Sequence, residues 1–528
     1  MGPRSTMNDA MLTRRGLLLA GGLGLAAGLA GCAISGSPSS SPAPATTAAG
    51  GGTAGGTLRA AFLGGGAQES LNILLGPTTL DSVRMRSVHG QLGSLDPSGE
   101  DGVRLGVAEQ ITAAGDLSTY TVKLRPGVQF TDGSTLTAAD VLHSLQLPMV
   151  LPALPYLQTV GQNFDLDSAR VLDDLTLELP TLQPIADGHL LLCQNSFIVR
   201  EGTEEFTVET PSCGPFQITE FVPGEGTALA RFDDYYGGGT LLDGLELRGI
   251  PATDARVAAL QSGDVDFAGD IGPVRARTLE GDDSIVVEST QEPYLTALNF
   301  AMNMNHEPFE DVDVRRAFKL AIDRQAIVDT VLYGRAEVGN DLPAKGFPDY
   351  ASDIPQREHD PEAARDLLRK AGAEGMRVTL TTGSEIEGMN EVSTVVAQQL
   401  SEIGVEVELN SLPQGQLYSD MESYFSADFA AGYSPATPLL SGYTSTRVAG
   451  APSAFGFDRP DIDELIFAAR GTADADERAA KAREAQELMW DEGNGITPVF
   501  LPSVSASSAA VSGVVLRSWP DFSEASLS

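Results

Sequence analysis

The stretch from Thr119 to Leu145 constrains the fold most. Thr119 to Leu124 alternates polar and apolar residues, the period of a half-buried strand. Arg125-Pro-Gly127 turns the chain, Val128 to Phe130 extends again, and Asp132-Gly133 is a second turn signal. Thr137 and Asp140 stand in capping-box spacing ahead of Val141-Leu142, so a helix starts there. Similar alternation of strand-like and helix-like segments continues along the chain, which predicts an α/β fold. None of this local chemistry requires a catalytic residue.

Other segments carry the same logic. Thr57 to Leu63 reads as a first strand, ending in Gly64-Gly65-Gly66. No GxxxxGK[ST] pattern follows, so the glycines mark a close approach to a ligand or another strand rather than a phosphate cradle. Val314, Ala317, Phe318, Ala321 and Ile322 lie at helical spacing and form one apolar face. Asp323 is an N-cap for a second helix ending near Gly334. Asp360-Pro361-Glu362 supplies a cap, a first-turn proline and an acidic first turn for a helix that stops at Gly372. A further helix spans roughly Asp474 to Glu492.

The first thirty-two residues fall outside this pattern. Arg14 and Arg15 precede an uncharged Leu/Ala/Gly run from Gly16 to Gly31, a secretory signal of the paired-arginine type. Membrane spans need about 20 apolar residues, and this run is shorter and glycine-rich. Leu29-Ala30-Gly31-Cys32 resembles the lipobox of bacterial lipoproteins, whose cysteine is lipidated. From Ala33 to Thr57 no residue is charged, and Ser, Pro, Ala, Thr and Gly dominate, as in a flexible tether.

The chain of 528 residues carries a formal net charge of −38, and losing the signal leaves that acidity in the exported part. Such a surface excludes nucleic acid, whose binding needs clustered Lys and Arg. Cys193 and Cys213 remain as a pair in an oxidising compartment, either as a disulfide or as two buried thiols. No CxxC or HxxH spacing occurs among the 5 histidines and 3 cysteines, so neither a metal site nor a cofactor is expected.

With these residues in hand, the chain resembles the family 5 extracellular solute-binding proteins, the peptide/nickel class serving ABC transporters. The Tyr120–Leu145 segment is similar to that family's strand, LR-x-G-x-x-F turn and TA-x-DV helix start. Pro211-Ser-Cys-Gly-Pro-Phe216 resembles its GTGPF/Y entry, and Phe232-Asp-Asp-Tyr-Tyr-Gly-Gly238 its N-x-x-YWGG. Ala258 to Asp266, Asn299-Phe300, Phe309 to Arg324 and the helix opening at Asp360 match further motifs in the same order.

The resemblance implies a two-lobed periplasmic-binding-protein-like fold (class II, cluster C type) with an extra domain on the first lobe. The implied layout is a signal at 1–32, a tether at 33–56, lobe I at 57–84, 210–297 and 496–528, the extra domain at 85–209, and lobe II at 298–495. It implies a small solute, peptide or peptide-like first, held between the lobes and delivered to an ABC permease and its ATPase. A monomer, lipid-anchored outside the cytoplasmic membrane and lacking enzymatic activity, is the corresponding expectation. The implied ligand contacts are Gly65, Gly66, Ala67, Gln68, Tyr433 and Ser434, and the implied hinge comprises Asn299, Phe300 and Val499. His89 and Tyr156 lie in regions that can face the cleft, with structural roles expected.

One departure matters. Peptide-binding members carry an aspartate just after the glycine–aromatic pair, where it neutralises the peptide ammonium. Here that loop reads Tyr433-Ser-Pro-Ala-Thr-Pro and contains no acid. A buried ammonium without a counter-ion is costly. The rival classes are a secreted hydrolase, for which no GxSxG or HExxH exists, and a ligand-binding sensor or adhesin without transport.

Overall fold

The computed structural model describes residues 54–64, 66–76, 78–194, 196–445 and 454–528. The expected signal, Cys32, most of the tether and Gly65 lie outside them. Among the described residues, no helix is long and apolar enough to cross a membrane.

The first lobe is built on a seven-stranded sheet. Its order is Ile285–Ser289, Val504–Ser508, Phe267–Ala268, Thr57–Phe62, Gly244–Gly249, Gly226–Arg231 and Phe216–Val222. Thr57–Phe62 is central and parallel to both neighbours. A strand covered on both faces must be apolar throughout, and Leu58, Ala60, Ala61 and Phe62 are all fully buried. The helix Thr79–Val88 covers one face through Leu80, Val83 and Val88. The helix Thr253–Ser262 covers the other, packing Val257 and Leu260 on Ala61 and Ala268. The expected close approach at Gly64 is present. A Cβ there would sit 2.3 Å from Glu69 Oε1 and 3.0 Å from the Gly249 backbone.

The second lobe has a six-stranded sheet ordered Glu337–Val338, Gly495–Leu501, Thr296–Met302, Phe429–Ser434, Arg377–Thr382 and Glu406–Ser411. The apolar face at Val314, Ala317 and Phe318 lies on the helix Val312–Leu320 and is buried, followed by Ala321 and Ile322. Phe318 and Phe429 pack edge-to-face at 5.7 Å. Asp323, Asp360 and Asp474 each cap the helix that follows, accepting from Ala326, Ala363 and Glu477 N–H groups. The chain passes between the lobes along two antiparallel strands, Thr296–Met302 and Gly495–Leu501, with Leu298 opposite Val499.

A third sheet, Ala108–Ala113, Thr119–Leu124, Thr176–Pro180 and Arg170–Asp173, carries the helix Ala138–Val150. The Thr137/Asp140 capping box is complete. This unit also touches the second lobe: Leu95, Leu190 and Cys193 share a core with Leu342, Leu439 and Ile462. Asp187 there meets Arg470 of the second lobe at 2.8 Å, with both side chains buried.

The disulfide alternative is corrected. Cys193 and Cys213 are separate, buried thiols. Cys213 packs with Tyr120 and Leu192 under the third sheet, whereas Cys193 faces the core shared with the second lobe. Burial pushes both thiols up to about 12. At the opposite end of the first sheet from the cleft, the last strand Ser526–Leu527 pairs with Val511–Ser512. Leu527 there lies 3.2 Å from where a Cβ on Gly56 would be.

Candidate functional site

Ligands of α/β sheets bind beyond the carboxyl ends of parallel strands. Both lobes present such ends to one cavity of about 460 Å³. Leu63 follows Thr57–Phe62, Pro251 follows Gly244–Gly249, and Asp270 follows Phe267–Ala268. From the second lobe, Ser384 and Glu385 follow Arg377–Thr382, and Gln414 follows Glu406–Ser411. Thr296 and Leu501, at the crossing, close the back.

The walls carry Asp270, Glu385, Glu387 and Glu391 against Arg256 and Arg335. Most of these groups are already engaged. Buried Arg256 spends its guanidinium on the carbonyls of Ile250, Pro251, Gly269 and Asp270 at 2.7–3.0 Å and on Thr253 Oγ1 at 3.2 Å. It therefore holds the loop that carries Asp270. Arg335 pairs with Glu280 at 2.5 Å. Glu385 accepts the N–H groups of Gly415 and Leu417, both at 2.8 Å. Glu387 accepts the Thr253 hydroxyl at 2.9 Å.

Asp270 differs. Its Oδ1 accepts weakly from Ser503 Oγ at 3.4 Å, while its Oδ2 is buried without a protein partner. Burial raises its pKa, only partly offset by Thr79, Arg256 and Ser503. An open carboxylate oxygen in a desolvated wall suits a cationic nitrogen that brings its own N–H donors.

Contacts near this cavity already span the lobes, among them Glu387 with Thr253, Arg335 with Glu280, and the Arg277 guanidinium over the Tyr333 ring at 4.8 Å. Closure and cavity formation therefore use neighbouring residues.

Gly65 lies outside the described residues; Gly66, Ala67, Tyr433 and Ser434 are not among the residues that line this cavity. Gly66 and Ala67 pack by backbone against the hairpin turn at Gly224, where a Cβ would meet them at 3.1–3.2 Å. The short helical turn Gly66–Gln68 ends that contact. Tyr433 is half-buried, meets Tyr418 edge-to-face at 5.9 Å, and has its phenol pKa raised by burial and by nearby Glu385. Ser434 is buried and its Oγ accepts from Asn299 Nδ2 at 2.8 Å. Asn299 Oδ1 in turn accepts from Thr497 Oγ1 at 2.8 Å, so this side chain ties three adjacent strands at the crossing. Phe300 and Val499 are fully buried there. His89 is buried outside the cavity, and Tyr156 is exposed at its edge of the third-sheet unit.

The residues that sequence reasoning missed are Asp270, Thr253, Glu385 and Glu387. They sit just beyond the strands Gly244–Gly249, Phe267–Ala268 and Arg377–Thr382, which the sequence reading did not single out. Among the described residues, no group of three or more His, Cys, Asp or Glu side chains is arranged to hold a metal ion.

With this geometry established, comparison with known proteins is informative. The family model for bacterial extracellular solute-binding proteins, family 5 Middle, matches residues 102–450. The glutathione-binding protein GsiB of Pectobacterium atrosepticum is 26% identical over 431 residues, covering 77% of this chain and 82% of that protein. Among solved structures, CtaP of Listeria monocytogenes superposes with a TM-score of 0.79 at 21% identity, covering 90% of this chain and 100% of that one. NikA of Brucella suis, in complex with Fe(III)-EDTA, gives 0.78 at 21% identity, with coverages of 89% and 100%. At such identities these likenesses speak to the fold, which is two-lobed in each.

Proposed function

The chain belongs to the bacterial extracellular solute-binding proteins, family 5, and we propose that it captures a small, amine-bearing solute between its lobes for an ABC importer. A member of this family binds and releases rather than transforms its cargo. The carrying observation is the 460 Å³ cavity whose walls come from both sheets and whose lining includes Asp270, with a buried carboxylate oxygen that has no hydrogen-bond partner in the protein. That volume falls in the range of small-molecule sites, about 300–1,000 Å³. Solute touching both walls favours the closed arrangement, because only there are both sets of contacts made. A permease and its ATPase then receive the cargo from the closed form.

Asp270 answers the missing acid after Tyr433. It offers the counter-ion from the first lobe instead of from the Tyr433 loop, which keeps a peptide or peptide-like cargo in view. The glutathione named for GsiB, a tripeptide with a free ammonium, fits that chemistry. Calorimetry against glutathione, di- and tripeptides and metal chelates tests the reading. A peptide that binds the native chain but not Asp270→Asn supports it, and a chelate or neutral solute binding both alike sinks it.

Lobe I, the extra domain and lobe II follow the division at 57–84, 210–297 and 496–528, at 85–209, and at 298–495; the three sheets support it apart from the strand Gly495–Leu501, which pairs in the second-lobe sheet, and the helix Thr79–Val88, which packs whole on the first. The twin-arginine signal and lipidation at Cys32 complete the reading, with a monomer held at the outer face of the membrane. Mass spectrometry of the N-terminal peptide from membranes checks this address. An unmodified Cys32 would remove the anchor from the proposal.

A further inference from the structure

The charge balance of the inter-lobe cavity constrains its cargo beyond the single contact at Asp270. Four carboxylates line it, Asp270 from the first lobe and Glu385, Glu387 and Glu391 from the second. Among the described residues, only two basic side chains, Arg256 and Arg335, join that lining. No Phe, Tyr, Trp or His is among those residues either, so a solute finds no ring to stack on there.

Both arginines are committed elsewhere. Arg256 is only 2% exposed, and its guanidinium is consumed by four backbone carbonyls and Thr253 Oγ1. Arg335 is drawn to Glu280 at 2.5 Å. A carboxylate brought in by a solute therefore meets no free cation on either wall. The helix Met389–Glu402 starts on the second-lobe wall, but Glu391 occupies its first turn and matches the positive end of its dipole.

The four acids are not equivalent. Glu385 accepts the Gly415 and Leu417 N–H groups, and Glu387 accepts the Thr253 hydroxyl. Glu391 is exposed on the cavity wall and makes no hydrogen bond or ion pair with any described residue. Asp270 keeps Oδ2 buried without a protein partner. Its backbone is left-handed, with a φ of 54°, an uncommon conformation for a residue with a side chain. Arg256 holds it there through the Gly269 and Asp270 carbonyls, so the carboxylate is aimed before any solute arrives. Two acids with open oxygens thus stand one on each wall.

We propose that Glu391 determines specificity and that the cargo is a dication, with one amine at Asp270 and a second cationic group at Glu391. The assignment rests on the cleft being an amine site, as proposed above, and narrows the kind of amine it takes. A solute with a cation at each end engages both walls at once, so its second charge also favours the closed arrangement. A solute ending in a carboxylate brings like charge to the second-lobe wall instead.

The test uses the purified full chain and three solutes that share an amine and a five-methylene spacer. Hexylamine ends in a methyl group, 1,5-diaminopentane in a second ammonium, and 6-aminohexanoate in a carboxylate. Calorimetry at low ionic strength reads binding. The diamine should bind about tenfold more tightly than hexylamine, and the aminohexanoate more weakly than either. Glu391→Gln should bring the ratio of diamine to hexylamine affinity down toward one. A merely structural role would lower both affinities together and leave the ratio. Asp270→Asn should abolish binding of all three. Equal affinities of the native chain for diamine and hexylamine, a ratio that survives Glu391→Gln, or an aminohexanoate that matches the diamine overturns the role of Glu391. In each of those cases, loss of binding in Asp270→Asn still leaves the amine site standing. If none of the three binds at millimolar concentration, or Asp270→Asn binds them unchanged, the amine site itself falls and the role of Glu391 with it.

Discussion

Asp187 and Arg470 form an ion pair of 2.8 Å that is buried on both sides and joins the third-sheet unit to the second lobe. Arg470 also donates to Asn163 Oδ1 at 2.6 Å, while Asp187 Oδ2 and one Arg470 Nη remain unpartnered. Any opening that separates these two units must expose this pair.

Removing one partner leaves the other charge buried and alone, which costs about 3–5 kcal/mol. Asp187→Ala should therefore lower chemical stability by that order. The double variant Asp187→Leu with Arg470→Met should recover most of it, because apolar replacements need no compensation. Denaturant titration of the native chain and these two variants decides. Equal losses in single and double variants would show that shape, not charge, sets the cost.

The exposed bridge between Arg335 and Glu280 is weaker. Exposed pairs contribute about 0–1 kcal/mol and are screened by salt. Glu280→Gln, which lies outside the cavity lining, should weaken cargo binding no more than about fivefold at low ionic strength. The difference should vanish in high salt. A larger, salt-independent loss would mean that the bridge does more than bias closure.

Asp270 gives a pH signature with a definite sign. Its folded pKa is raised by burial, so the folded state holds its proton to higher pH than the unfolded chain does. Between those two values stability falls as pH rises, and above the folded value the penalty is complete. Asp270→Asn should thus melt higher than native at neutral pH when both are empty. Cargo affinity should run the other way, flat above the raised pKa and falling as acid protonates the carboxylate. Melting curves and calorimetry from pH 4 to 8 on both proteins check the two trends together.

Lys319 is fully buried and donates to the carbonyls of Met489 and Trp490 at 3.1 and 2.8 Å. Burial lowers its pKa to about 7, with Arg357, Arg315 and Arg324 adding to that and Asp341 opposing it. An unfolded lysine titrates near 10.4, so between about pH 7 and 10 the unfolded chain binds more protons. This group's contribution to stability accordingly rises with pH across that window. Lys319→Met should flatten the rise. An unchanged slope would place the proton elsewhere.

Neither thiol should react in the native protein. Iodoacetamide should leave Cys193 and Cys213 unmodified until denaturant is added, and should then label both without prior reduction. Labelling only after a reductant would restore the disulfide.

Local chemistry was legible in the sequence, and the cavity was not. The Thr137/Asp140 box and the caps at Asp323, Asp360 and Asp474 act within a few residues, so a linear reading finds them. Thr253 and Glu387 meet from 134 residues apart, a distance no local pattern encodes. The glycine loop was correctly placed after the first strand. Gly64 is glycine because a Cβ there would run into Glu69 and Gly249, and Gly66 because its φ of +60° is left-handed. Ser434 similarly spends its hydroxyl on Asn299. The family resemblance gave the two-lobed fold, while burial and hydrogen bonding decide which atoms are left free inside the cavity.

The packing of Leu527 on Gly56 has a mechanical corollary. Both described ends of the chain are seated at the foot of the first sheet, and the central strand rises from there through six residues, about 20 Å, toward the cavity. With the proposed N-terminal tether, the first lobe is therefore the held jaw of a vice and the second the free one. Whatever holds the N-terminal side in place bears no load when the jaws part, so a tethered molecule can load and unload without straining its own mooring.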